Sequence, residues 1–174
     1  AYSFEIKEPQ ALATVSVFLN HNFKAADSFS NLLMALHLFQ QLMNFHKSDT
    51  DASAFIDVNL ERIEWVYDNS IIENKEALYK QALEEITNSY AGNINTIQAW
   101  YLLAKIYADS AATYQPFGDT AYRYDYNKAK EIIDEQLKVK SAPGEGNSNL
   151  KQLLSDILRK ELHTETESIN VPGE

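Results

Sequence analysis

Apolar residues recur along most of this chain at three- and four-residue intervals, the period of one face of an α-helix. Near the start, Leu12, Val15, Val17, Phe18 and Leu19 follow Pro9, a residue that suits a first helical turn because its missing N–H costs nothing there. This predicts a short helix ending near His21, with the β-branched residues leaving a strand as the competing assignment. A second helix, capped by Asp27 or Ser28, is predicted from Phe29, Leu32, Leu33, Leu36, Phe39, Gln40 and Met43. A further row on the same stretch, Met34, Leu38, Leu42 and Phe45, requires packing on more than one side, within a solenoid or against a missing neighbour. After the polar cluster from His46 to Ser53, Asp57 or Asn59 can start a third helix bearing Leu60, Ile63, Val66 and Tyr67, which Asn69 and Ser70 stop. Asn74 can cap a fourth, with Leu78, Tyr79, Ala82, Leu83, Ile86 and Tyr90 on its apolar face. Gly92 and Asn93 break the chain, and Asn95 caps a fifth helix reaching about Ala112. A sixth resumes near Tyr126 with Ala129, Ile132, Ile133 and Leu137, and the run Ser141-Ala142-Pro143-Gly144 closes it. The last helix carries Leu150, Leu153, Leu154, Ile157, Leu158 and Leu162 and is expected to cap the array.

Within the fifth and sixth helices, Trp100-x-x-Leu103-Ala104-x-x-Tyr107 and Ala129-x-x-x-Ile133 resemble the two helices of a tetratricopeptide repeat, in which a small residue lets the helices approach closely. Tyr79-x-x-Ala82 is similar to the second helix of such a unit. The resemblance implies an all-α protein, a tetratricopeptide-like right-handed helical array (an α–α superhelix) of about six or seven helices. Residues 1–162 form this domain and 163–174 a linker or tail toward a following domain. The pattern departs from a standard repeat between Asp109 and Asp125, where a tight turn is replaced by a loop containing Tyr114, Phe117, Tyr122 and Tyr124. Tyrosine supplies rigid amphipathic area at small entropic cost, so these four residues are the candidate interaction surface. A long loop also needs aromatic anchors to hold it against its helices, and both readings stand at this stage.

Composition narrows the chemistry. The 174 residues include 25 acidic and 15 basic side chains, a formal net charge of −10, and no basic run longer than a pair such as Arg159-Lys160. Nucleic acid and anionic lipid are thereby disfavoured as partners, since both require clustered cations. No cysteine is present, which excludes disulfides, thiolate metal sites and a cysteine nucleophile. His21, His37, His46 and His163 form no His-x-x-x-His or His-x-Glu pattern, so no metal site is read from them. Adjacent carboxylates such as Glu84-Glu85 diverge on a helix and do not converge as a glycosidase pair must. There is no nucleophile elbow and, with 5 glycines, no phosphate-cradling loop. The expectation is a protein without catalytic residues or cofactor, binding another protein or adjacent domains of its own chain, with no membrane-inserted segment.

The runs Asn59-Leu60-Glu61-Arg62-Ile63-Glu64-Trp65-Val66-Tyr67, Ala77-Leu78-Tyr79-Lys80-Gln81-Ala82-Leu83, Ala99-Trp100-Tyr101-Leu102-Leu103-Ala104 and Ala129-Lys130-Glu131-Ile132-Ile133 resemble the helical region near the N-terminus of large alpha-2-macroglobulin-like proteins of Bacteroidetes. Residues 165–174 look like the lead into the first β-sandwich of such a protein. The resemblance implies a periplasmic or lipid-anchored, extracytoplasmic parent, in which this segment is a non-catalytic scaffold or docking module and the natural chain continues beyond Glu174. It implies no protease trapping here, because the thioester Cys-x-x-Gln on which that chemistry rests has no counterpart. The alternative is a nutrient-binding helical protein similar to the starch-binding outer-membrane lipoproteins of the same bacteria, with the aromatic loop taking a glycan.

Overall fold

The computed structural model describes residues 4–26, 29–115, 117, 120–138 and 145–159. Within them lie seven α-helices: α1 (Val15–Asn20), α2 (Asn31–His46), α3 (Ser53–Asn69), α4 (Lys75–Ser89), α5 (Ile97–Ala112), α6 (Asp125–Lys138) and α7 (Glu145–Leu158). Among the described residues there is no β-strand, only a single parallel bridge between Ile6 and Ser70. The protein is an all-α array. Each helix packs on its successor from α1 to α7, and α5 also packs directly on α7.

Local chemistry moves several helix starts from where periodicity puts them. Pro9 opens a short 3₁₀ turn, and the β-branched stretch after it folds as α1. The expected caps Asp27 and Ser28 lie outside the described residues; α2 begins at Asn31, so Phe29 falls outside the helix and is exposed. Helix α3 starts at Ser53, ahead of the expected caps Asp57 and Asn59, because the Asp51 carboxylate accepts hydrogen bonds from the Ser53 amide (2.9 Å) and hydroxyl (2.6 Å). Those bonds hold the Asp51 carboxyl below its ordinary value. Asp57 and Asn59 therefore sit inside the helix, the first exposed and the second fully buried. Ahead of α4, Asn74 takes a left-handed conformation (φ 54°) that asparagine tolerates better than most residues, and it offers its carbonyl, not its side chain, to the first turn. Asn93 caps the 3₁₀ turn Ile94–Thr96 that leads into α5, accepting from the Asn95 amide at 2.9 Å, and α5 itself has no side-chain cap, so Asn95 does not cap it. The Ser141–Gly144 stop, Leu162 and the 163–174 tail lie outside the described residues.

Two apolar clusters organise the packing. The larger runs from Ile6, Leu12, Phe18 and Phe23 through Leu36, Ile56, Ile63, Leu83 and Ile86 to Ala99, Leu102 and Leu103. The smaller gathers Ala104, Ile133 and Leu150. Helix α5 belongs to both, and Tyr101 packs against each. Ala104 and Ala129 are both fully buried where α5 meets α6, the positions at which a small side chain permits close approach. A bare Cα does the same for α7: a Cβ on Gly146 would stand 2.7 Å from Ile97 Cγ2 and 3.0 Å from the Gln98 amide nitrogen. Helix α7 covers α5 and α6 with Leu150, while Leu153, Leu154 and Ile157 are half-buried and Leu158 is exposed.

The most deeply placed charge is Arg62 on α3, fully buried. Its guanidinium donates to the carbonyls of Ala11 (2.9 Å) and Ala13 (3.1 Å) and twice to Asn59 Oδ1 (3.0 and 2.8 Å). It also lies 4.5 Å from the Phe18 ring centre, a cation–π distance. Desolvation pulls its pKa down to about 9, opposed by the charge of Glu85, so it remains a cation at neutral pH. Glu85 accepts in turn from the Val15 amide at 2.9 Å. The two side chains fasten residues 11–18 to α3 and α4.

Candidate functional site

A groove of about 610 Å³ opens between α3, α4 and α5, in the size range of small-ligand and peptide-side-chain sites. Helical periodicity builds it. Glu64, Tyr67 and Asp68 occupy one side of α3, Glu76 and Tyr79 the first turns of α4, and Leu102, Ile106, Asp109 and Ser110 one stripe of α5. Tyr122, from the loop after α5, closes one edge.

The walls combine aromatic area with negative charge. The Tyr67 and Tyr79 rings lie 4.5 Å apart at 35°, and Leu102 and Ile106 add aliphatic surface. Around them stand four carboxylates, Glu64, Asp68, Glu76 and Asp109, against one amine, Lys105, which is bound to Asp109 at 2.5 Å. Burial, and then the charges of Glu61 and Asp68, raise the Glu64 carboxyl above its ordinary range. Burial also raises the Tyr79 and Tyr67 hydroxyls, assisted by neighbouring carboxylates, so both rings are neutral phenols at physiological pH. This arrangement suits a cation with an apolar stem: the stem lies along the rings and aliphatic surface, and the charge meets the carboxylates. The fold uses the same chemistry internally. Lys75 Nζ sits 4.6 Å from the Tyr67 ring centre, and Lys80 Nζ sits 4.5 Å from that of Tyr107 while donating to its hydroxyl at 2.7 Å.

Of the four residues singled out in the sequence, the structure brings only Tyr122 to this groove. Tyr114 is half-buried, Phe117 and Tyr124 are exposed, and Arg123 lies 5.5 Å from the Tyr124 ring centre. Three of the four aromatic side chains thus present surface to solvent, and Tyr114 is the one of them that is half-buried. A smaller cleft of about 370 Å³ lies on the opposite side of Lys105 and Asp109, between α5 and α7, with Tyr126 at its edge. Tyr67, Tyr79 and the groove carboxylates escape a sequence reading because they come from three helices and each one, taken singly, looks like packing or a solvated face.

The histidines do not converge. His37 bonds the Phe23 carbonyl at 3.1 Å, His46 bonds Asp49 at 2.7 Å, His21 meets Glu8, and His163 lies outside the described residues. Among the described residues no group of three or more His, Asp or Glu is gathered as a metal would require, and no helix is long and apolar enough to cross a membrane. Comparison with protein families, curated proteins and solved structures finds no match to this chain.

Proposed function

We propose that this chain is a non-catalytic helical scaffold whose α3–α4–α5 groove receives a basic segment of another protein or of an adjacent domain. The observation that carries the reading is the groove itself: paired tyrosine rings beside four carboxylates, with Lys105 the one amine in the lining and Lys75 over the Tyr67 ring. A lysine or arginine side chain from an extended peptide satisfies both halves of that lining. The acidic balance of the whole chain adds long-range attraction for such a partner. In this proposal the helices form a tetratricopeptide-like superhelix, supported by the fully buried Ala104 and Ala129 where α5 meets α6.

The test is titration with Lys/Arg-rich and Glu-rich decapeptides of matched apolar content. Basic peptides should bind with affinities on the order of 10–100 µM, and binding should weaken as salt is raised. Glu64→Gln and Asp68→Asn should each weaken it by about tenfold. Equal binding of both peptide types at low salt would sink the proposal.

The setting proposed for this module is the N-terminal helical region of an extracytoplasmic alpha-2-macroglobulin-like protein, on the resemblance of the α3 to α6 sequences. In that setting the parent polypeptide runs on into β-sandwich domains, which the sequence beyond Glu174 tests directly. A second reading draws on the exposure of Phe117, Tyr122 and Tyr124: an aromatic platform for a glycan. Under it, Tyr122→Ala and Tyr124→Ala lose oligosaccharide binding without a change in melting temperature, and absence of any glycan binding removes it.

A further inference from the structure

Helix α2 is apolar on two opposite sides, and the fold uses one of them. Leu33, Leu36 and Met43 are buried against the core, whereas Met34 (57% exposed), Leu38 (55%), Leu42 (37%) and Phe45 (75%) form a row turned to solvent. Met34, Leu38, Gln41 and Phe45 follow one another at intervals of four, three and four, the spacing of a seam between paired helices. No Asp, Glu, Lys or Arg occurs in the sixteen residues of α2, in a chain where such residues make up 23%.

We propose that this face is a self-association surface, on which a second copy of the chain lays its own α2 antiparallel across a two-fold axis. The four apolar side chains expose roughly 400 Å², and a two-fold contact counts that area twice. With the polar residues between and beside them, the buried total reaches on the order of 1,000 Å², the threshold of a specific interface and about half of what a strong one buries. The pattern is self-complementary. With the axis between Leu38 and Gln41, Met34 of one copy faces Phe45 of the other and Leu38 faces Gln41. An acidic chain repels its own kind through most of its surface; an uncharged helix is the place where two copies meet without opposing carboxylates. An anionic bilayer is a poorer occupant, since the helix carries no Lys or Arg to hold lipid headgroups.

Sedimentation equilibrium of the 174-residue chain should therefore show monomer–dimer exchange with a dissociation constant on the order of 10 µM. The association should tighten as salt is raised, because screening relieves the repulsion of two acidic bodies. That sign is opposite to the one expected for basic peptides in the groove, so either idea can fail while the other survives. Leu38→Glu places two like charges at the two-fold and should weaken dimerisation by at least about a hundredfold. Its position is already half exposed, and far-UV circular dichroism checks that the helices persist. Because the chain has no cysteine, a Gln41→Cys variant can be linked by a short bis-maleimide only to another copy. It should yield dimer on a gel, whereas Gln81→Cys on the exposed side of α4 should not. A monomeric mass at every concentration overturns the proposal, including the case in which a different protein covers α2. So does a dimer unaffected by Leu38→Glu, or equal cross-linking at both positions.

Discussion

Replacing Arg62 by Met tests what fastens the N-terminal segment to the array. Methionine fills nearly the same volume without a charge, so the substitution removes donors more than it opens a cavity. Three acceptors lose their partners: the carbonyls of Ala11 and Ala13 and the Asn59 side-chain oxygen. Each buried acceptor left unpaired costs about 1–3 kcal/mol, and the contact with Phe18 at 4.5 Å adds roughly 1 kcal/mol. Against this, the fold no longer buries a guanidinium, a relief that offsets part of the loss. The net expectation is about 2–4 kcal/mol of destabilisation, or a fall in melting temperature of about 5–15 °C for a chain of this size. Urea unfolding monitored by circular dichroism gives the first number, and hydrogen exchange at residues 11–18 locates it. The Asn59 amide nitrogen is already buried without a hydrogen-bond partner among the described residues. Adding Asn59→Leu to Arg62→Met therefore removes one orphaned oxygen and one orphaned donor together, and should recover about 1–2 kcal/mol. An Arg62→Met variant as stable as the parent would refute the reasoning, since it would mean that water or rearrangement satisfies all three acceptors at no cost.

Gly146→Ala should destabilise by about 1–3 kcal/mol, because the added methyl meets Ile97 and the Gln98 backbone, which outweighs alanine's better helix propensity; a stabilised variant in thermal melts would contradict the tight α5–α7 approach. Leu150→Ala should cost about 2–5 kcal/mol and expose α7 amides to exchange before those of α3. Glu64 is raised by burial, so its charged form is disfavoured in the fold and its contribution to stability falls as pH rises through and above the ordinary carboxylate range. Glu64→Gln should flatten that pH dependence and leave the protein at least as stable at pH 7, and a less stable variant would argue that the carboxylate has an undetected partner. The raised hydroxyls of Tyr67, Tyr79 and Tyr90 keep their protons in the fold longer than in the unfolded chain, so each contributes a decline in stability above about pH 10, opposed by Arg62, whose pKa lowered to about 9 acts in the other direction over the same range. Tyr79→Phe should blunt that decline, as alkaline titration followed by circular dichroism will report.

The helices were legible because burial on one side leaves a periodic trace, as in Leu78, Tyr79, Ala82, Leu83 and Ile86 on α4. Their starts were less so: Asp51 reaches two residues forward to Ser53, which moved the start of α3 ahead of Asp57, and a 3₁₀ turn capped by Asn93 takes up Asn95 ahead of α5. Arg62 was invisible as a core residue, since a long cation in a helical pattern reads as a wet position unless its acceptors, here some fifty residues earlier, are in view. The doubly apolar character of α2 was readable, and the structure resolves which row is covered. The groove was not readable, because the convergence of Glu64, Glu76 and Asp109 depends on how three helices are stacked.

The fastening of residues 11–18 has a consequence for the order in which this chain can assemble. The carbonyl of Ala11 finds its donor 51 positions later and the Val15 amide finds its acceptor 70 positions later. On a ribosome, which delivers about 5–20 residues each second, Leu12, Phe18 and Phe23 therefore emerge several seconds before α3 and α4 can receive them. The segment therefore stays unseated until α3 and α4 follow it, and the nascent chain exposes Leu12, Phe18 and Phe23 throughout that wait.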